Sequence, residues 1–259
     1  MYRSLQPRLI VDTAEALHRR IAERFPDSGL SSVAGELVDV SREAEALSNW
    51  LDKPNYWIRG GVVLAVVLIV VLVAGAFHSL DLNVSLFSSI SDFLQGLESA
   101  INDFVFLGLA IFFLATGETR LKRRRALEAL HVLRSMAHII DMHQLTKDPE
   151  QFHPETSLTP SSPKRLMTSF ELTRYLDYCS ELLAILSKVA AVYVQRFNDP
   201  VTISAVNEIE DLTTGLSRKI WQKLMILERI TTAEEDRKIV AAGSDINNRR
   251  EPPAPAQVS

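Results

Sequence analysis

The stretch YWIRGGVVLAVVLIVVLVAGAF, Tyr56 to Phe77, decides the fold of this chain. After Arg59 it holds no charged residue, and it is long enough to cross a hydrocarbon core, which takes roughly 20 residues. Its many valines would also suit a buried strand. Strands usually stop within about ten residues, however, so length selects a spanning helix. Trp50, Tyr56 and Trp57 stand at the entrance, where amphipathic rings favour the boundary between membrane and water.

Further along lies a second apolar run, FVFLGLAIFFLAT, from Phe104 to Thr116. Taken alone it is short for a span and compatible with a buried helix or a re-entrant segment. Its flank is more informative. Arg120, Lys122, Arg123, Arg124 and Arg125 follow at once, and such a cluster resists translocation and stays on the cytoplasmic side. The same cations could contact anionic lipid headgroups, each contributing on the order of 1 kcal/mol. Lys53 and Arg59 precede the first run, while residues 60 to 117 contain no Lys or Arg.

The charge pattern therefore predicts a two-span transmembrane helical hairpin. Its spans are residues 56–77 and 103–117, an extracytoplasmic amphipathic segment covers 78–102, and both polar ends face the cytoplasm. The expected location is an inner (plasma) membrane of bacterial type, with the lipid bilayer as the first partner. The charged N-terminus lacks the basic-then-apolar pattern of a cleaved signal, so the first span is expected to persist as an anchor. Within 78–102, Leu80, Leu82, Val84 and Leu86 alternate with polar residues; Leu86, Ile90, Phe93, Leu97 and Ala100 then recur at helical spacing. That helix either lies along the outer interface or continues into the second span. Gly61 and Ala65 form a small-xxx-small pair of the kind that lets spans approach closely.

On either side of the hairpin the chain reads as helix. Ile10, Ala14, Leu17 and Ile21 share one face, with Asp12 and Glu15 as a possible cap and first-turn acid. The sequence Pro26–Asp27–Ser28–Gly29 breaks the chain, and a second helix is expected from about Ser32. Val33, Leu37, Val40, Ala44, Leu47 and Leu51 then alternate by fours and threes, the seam of packed helices. Residues 1–55 are thus an N-terminal helical hairpin on the cytoplasmic side.

After the second span, residues 118–232 read as a cytoplasmic helical domain, interrupted by a loop at 146–168 that carries Pro149, Pro154, Pro160 and Pro163. Thr168 and Glu171 form a capping box. A stripe from Leu172 to Phe197 follows, and Pro200 is placed to start the next helix. Val206, Ile209, Leu216, Ile220, Leu224 and Leu227 line that helix, with a shift of phase near Trp221, itself expected as a core anchor. Residues 233–259, ending NNRREPPAPAQVS, are expected to be disordered. The fold class is all-α: a membrane hairpin joined to a helical hairpin and a helical bundle.

The chain has 259 residues and a formal charge of −4, which argues against nucleic acid as a partner. Its single cysteine, Cys179, excludes an intramolecular disulfide and falls on an apolar helical stripe. Neither span carries an ionisable residue in its interior, whereas transporters usually keep one there. The one arrangement that resembles a site is the crowding of histidines between His131 and His153. His131, His138, Asp141 and His143 are candidate ligands for a divalent metal, since carboxylate and imidazole on one helix face can hold zinc or iron. Against this, only one Glu-x-x-His pair, Glu128 with His131, lies on the helix 128–148, and Arg134 would oppose a cation. No nucleophile with a base, no glycine loop and no paired carboxylates accompany them.

The leading expectation is a non-enzymatic, membrane-anchored helical scaffold or regulatory protein that binds itself, as a homo-oligomer, or a cytoplasmic protein partner; no cofactor is expected. The alternatives are a metal- or ligand-responsive sensor or hydrolase using the histidine-rich helix 128–148, and a subunit of an oligomeric channel.

Overall fold

The computed structural model describes residues 4–54, 56–79, 90–152, 160 and 167–248. Six helices follow in order: α1 (Pro7–Arg24), α2 (Gly29–Asp52), α3 (Tyr56–Ser79), α4 (Ile90–Leu145), α5 (Ser169–Val194) and α6 (Pro200–Asn248). A single 3-10 turn, Pro149–Phe152, follows α4, and no strand occurs among the described residues. The protein is all-helical, as composition and periodicity require.

α1 begins two turns earlier than its acidic residues suggest. Pro7 stands at its first position, and no side chain caps it. The fixed φ of proline suits that position and its missing N–H has no partner to lose. Glu15 instead pairs with Arg42 of α2 at 2.7 Å. α2 starts at Gly29 rather than Ser32, because the Ser28 hydroxyl accepts the Ser31 N–H at 3.1 Å and so caps the helix. Asp27, at φ 55, makes the turn between the two, a left-handed conformation that aspartate tolerates better than most residues. The Thr168–Glu171 capping box opens α5 as expected.

One hydrophobic core joins α1, α2, the second half of α4, α5 and α6. Leu17, Ile21, Leu30, Leu37, Leu133, Ile140, Leu176, Leu183 and Leu186 are fully enclosed in it. Phe25, at the end of α1, meets Tyr175 and Tyr178 edge to face, with centroids 5.4 and 6.3 Å away. Ion pairs and hydrogen bonds Arg123–Asp199, Arg134–Glu208 and Gln144–Lys223 occur in the same order along α4 and α6, so these helices run parallel. The α1–α2 and α5–α6 hairpins pack against this half of α4, whereas α3 packs on α4.

The apolar region differs from its sequence reading in emphasis. The amphipathic segment does continue directly into the second apolar run, and α4 is one helix of 56 residues. As a result the helical run Leu94–Phe152 is long and apolar enough to cross a membrane, and none of its most apolar window is buried. The other apolar helix, Arg59–Gly75, falls short of that length among the described residues. An added Cβ at Gly61 meets nothing within 4 Å, so the Gly61–Ala65 pair does not mark a close helix approach. The alternating stretch Leu80 to Leu86 lies outside the described residues.

Two further differences concern α6. Trp221 is 62 % exposed, whereas Ile220 beside it is buried as its place on the stripe requires. The phase shift therefore turns the indole outward. The helix also runs to Asn248, past residue 233, where composition places the start of a disordered tail. Ala, Glu, Arg and Lys between Ala233 and Lys238 are favourable helix formers and no proline interrupts them, although burial among the described residues ends at Leu227. Residues 249–259, with the prolines, lie outside the described set.

Candidate functional site

The polar residues nearest the apolar helices converge on a collar at the foot of the bundle. It is assembled from the last turn of α2, the first turn of α3, residues Glu118 to Arg125 of α4, and the junction of α5 and α6. Lys122 is at its centre. Its side chain is 9 % exposed. The ammonium donates to the carbonyls of Leu51 at 2.9 Å and Lys53 at 2.8 Å, and pairs with Glu118 at 3.0 Å. The carbonyls at a helix end lack intrahelical partners and carry partial negative charge, so a lysine placed there satisfies both needs. Glu118 in turn accepts from Arg59 Nε of α3 at 2.8 Å. One chain of contacts thus ties α2, α3 and α4 together. Arg59, Val62, Val63, Leu114, Glu118, Lys122 and Phe197 are among the residues lining a cleft of about 490 Å³ beside it.

One residue on, the Arg123 guanidinium grips Asp199 with both Nε and Nη2, at 3.0 and 2.6 Å. Asp199 also caps α6, accepting the Thr202 N–H at 3.0 Å and its hydroxyl at 2.9 Å. Burial alone would raise the Asp199 pKa. The bonds from Arg123 and Thr202 outweigh it and hold the carboxyl below the usual aspartate range. The pattern Asp199–Pro200–Val201–Thr202 signals the cap, but nothing local signals the arginine 76 residues away.

The remaining cations of the cluster take different roles. Arg125 lies over the Trp50 ring at 4.5 Å, and Arg120 over Phe113 at 4.2 Å. Arg124 makes an exposed pair with Glu128 at 2.9 Å. Of the interfacial aromatics, Trp50 packs partly against the core, while Tyr56 and Trp57 are strongly exposed at the start of α3. Arg120, Arg123 and Arg124, with Leu127, Glu128 and His131, line an open groove of about 560 Å³.

The histidine-rich segment does not gather. His131 is exposed in that groove and His138 is exposed on α4. Asp141 accepts from Gln144 Nε2 at 2.6 Å. His143 packs on the other side of the helix against Gly29. Five residues of helix turn a side chain about 140° from its starting direction, so His138 and His143 cannot face one ion. Among the described residues no group of three or more His, Cys, Asp or Glu is placed to hold a metal, and His153 lies outside them. The residue set chosen for a metal is therefore dispersed by the helix that carries it.

Gly29 is needed where His143 arrives. A methyl there would overlap the imidazole, which has its Nε2 and Nδ1 at 3.2 and 3.3 Å from the added Cβ position. Because the ring is half-buried and can swing, Gly29→Ala is expected to cost only about 1 kcal/mol. Thermal unfolding in detergent should show that loss, and it should vanish when His143 is alanine. An equal loss in both backgrounds would contradict the steric account.

At the far end of the bundle a second lysine repeats the cap. Lys223 of α6 donates to Gln144 O at 2.7 Å and Lys147 O at 3.2 Å, at the end of α4. Burial lowers its pKa, opposed by Asp148 and Asp141. Nearby Cys179 is enclosed, and burial pushes its thiol up to about 12, which leaves it protonated and inert at neutral pH. Neither family models nor curated proteins nor solved structures gave a match to this chain.

Proposed function

We propose that this is a membrane-anchored, non-enzymatic scaffold or regulatory protein. It crosses the bilayer twice through α3 and the first half of α4, and it holds its helical bundle on the cytoplasmic side of a bacterial-type inner membrane. There the bundle binds a second copy of itself or a cytoplasmic partner.

The observation that carries this reading is the division of α4. Phe104, Phe106, Leu109, Phe112 and Phe113 are each more than half exposed, whereas Ala126, Leu130, Leu133, Ala137 and Ile140 of the same helix are in the core. Fully burying a large apolar side chain is worth about 1.5–3 kcal/mol. Leaving five such residues in water forgoes several kcal/mol, comparable with the net stability of a whole domain, about 5–15 kcal/mol. Lipid supplies the missing apolar surroundings. The collar then makes the anchor and the bundle one mechanical unit.

Crosslinking and mass measurement of the full chain in mild detergent, with pull-downs from the host membrane, test the binding role. A homo-oligomer or a defined partner is expected; a monomer that recovers nothing overturns it. Reporter fusions after Asn83 and Ser259 test the topology and should mark opposite sides of the membrane.

A further inference from the structure

We infer that the groove on α4 formed by Arg120, Arg124 and His131 seats the phosphate of an anionic phospholipid from the cytoplasmic leaflet. The inference rests on the two-span anchoring proposed above. It also separates the five cations of the basic cluster, which the sequence presents as one set.

Lys122 is withdrawn from any headgroup, buried against the end of α2. Arg125 is exposed but stacks on Trp50 and does not line the groove. Arg123 forms a wall of the groove but is committed to Asp199. What remains available in the groove is Arg120, Arg124 and His131, spaced by four and seven residues along one face of α4. Leu127 and the aliphatic stems of the arginines give the groove an apolar floor, which suits the glycerol part of a lipid as well as its phosphate.

Position argues for lipid as the source of that phosphate. The Arg120 guanidinium sits 4.2 Å from the ring of Phe113, which belongs to the apolar run and is itself 60 % exposed. The groove therefore opens where apolar helix surface gives way to charged surface, the depth at which headgroups lie. Guanidinium groups match phosphate oxygens in paired, planar hydrogen bonds. The one carboxylate in the groove, Glu128, holds Arg124 in an exposed pair of the kind worth at most about 1 kcal/mol, so a phosphate can take its place.

The test uses the full chain reconstituted in phosphatidylcholine vesicles doped with phosphatidylglycerol, extracted in mild detergent, with retained lipid measured by mass spectrometry. The wild type should retain phosphatidylglycerol preferentially. Arg120→Gln with Arg124→Gln should lower that retention about tenfold, given roughly 1 kcal/mol per cation and partial neutralisation by Glu128. Arg218→Gln with Lys219→Gln removes the same formal charge from exposed positions of α6 outside the groove, and should leave retention unchanged. Excess inorganic phosphate should not displace the lipid.

An embedded wild type without preference, equal losses in the two double variants, or displacement by phosphate would each overturn the headgroup site while leaving the anchor intact. A chain that never enters the vesicles would overturn the anchor, and the site with it.

Discussion

Replacing Lys122 with methionine is expected to destabilise the protein by about 3 kcal/mol, because it leaves one buried and one partly buried carbonyl without a donor, each at about 1–3 kcal/mol. The methionine fills a similar volume, so little of the loss comes from packing. What disappears is the ammonium that closes the end of α2 through Leu51 O and Lys53 O. Glu118 keeps its bond from Arg59 and is not left bare. For a protein of this size the loss corresponds to roughly 6–12 °C in the melting temperature. Thermal unfolding of the full chain in detergent measures it, with Trp50 fluorescence as a local reporter since its ring lies under Arg125 at the same collar. Arg124→Ala, two residues on, is the contrast: its pair with Glu128 is 79 % and 62 % exposed at the two side chains and should be worth less than about 1 kcal/mol. Equal effects at the two positions would show that burial of Lys122 does not organise the collar.

The second large effect is expected at Arg123. Arg123→Ala strands a carboxylate whose side chain is 3 % exposed, with only the Thr202 N–H and hydroxyl to hold it. Removing one partner leaves the enclosed carboxylate uncompensated, so the loss should exceed that of the exposed Arg124–Glu128 pair, moderated by the solvent that reaches the arginine. The pH dependence distinguishes loss of this pair from a general loss of packing. Asp199 has its pKa depressed in the folded protein. The stability it contributes is therefore fully present above the unfolded aspartate value, about 3.9, and is lost as pH falls through the lower folded value. The stability gap between wild type and Arg123→Ala should thus be widest above about pH 4 and close in more acidic solution. Denaturant titrations across that range measure it. A gap that stays constant with pH would mean that the arginine acts through its aliphatic stem alone.

Both effects lie at contacts that link distant parts of the chain, and this bears on how much was legible beforehand. The stripes Ile10–Ala14–Leu17–Ile21 and Leu172–Leu176–Cys179–Leu183 are buried as their spacing requires. The capping box at Thr168 and the proline start of α6 are also present. These features depend on residues within a turn or two of each other, where side-chain period and backbone hydrogen bonding leave few choices. The length of α4 was partly legible, since the amphipathic segment reads either as lying along the outer interface or as continuing into the second apolar run, and the helix does the latter.

The candidate site was less so. The basic cluster Arg120 to Arg125 reads as a single patch, yet Lys122 turns inward, Arg123 crosses to α6 and Arg125 to α2. Consecutive helical residues point in different directions by about 100°, and the neighbours they meet are set by how the hairpins pack. The same geometry separates His143 from His131 and His138, and it exposes Trp221 beside the buried Ile220. Local chemistry was sufficient for the helices, their ends and the pooling of apolar residues beside a block of cations. Three-dimensional packing was needed to tell which of those cations are structural, because a buried charge is defined by partners 69 to 76 residues away rather than by its own surroundings in the chain.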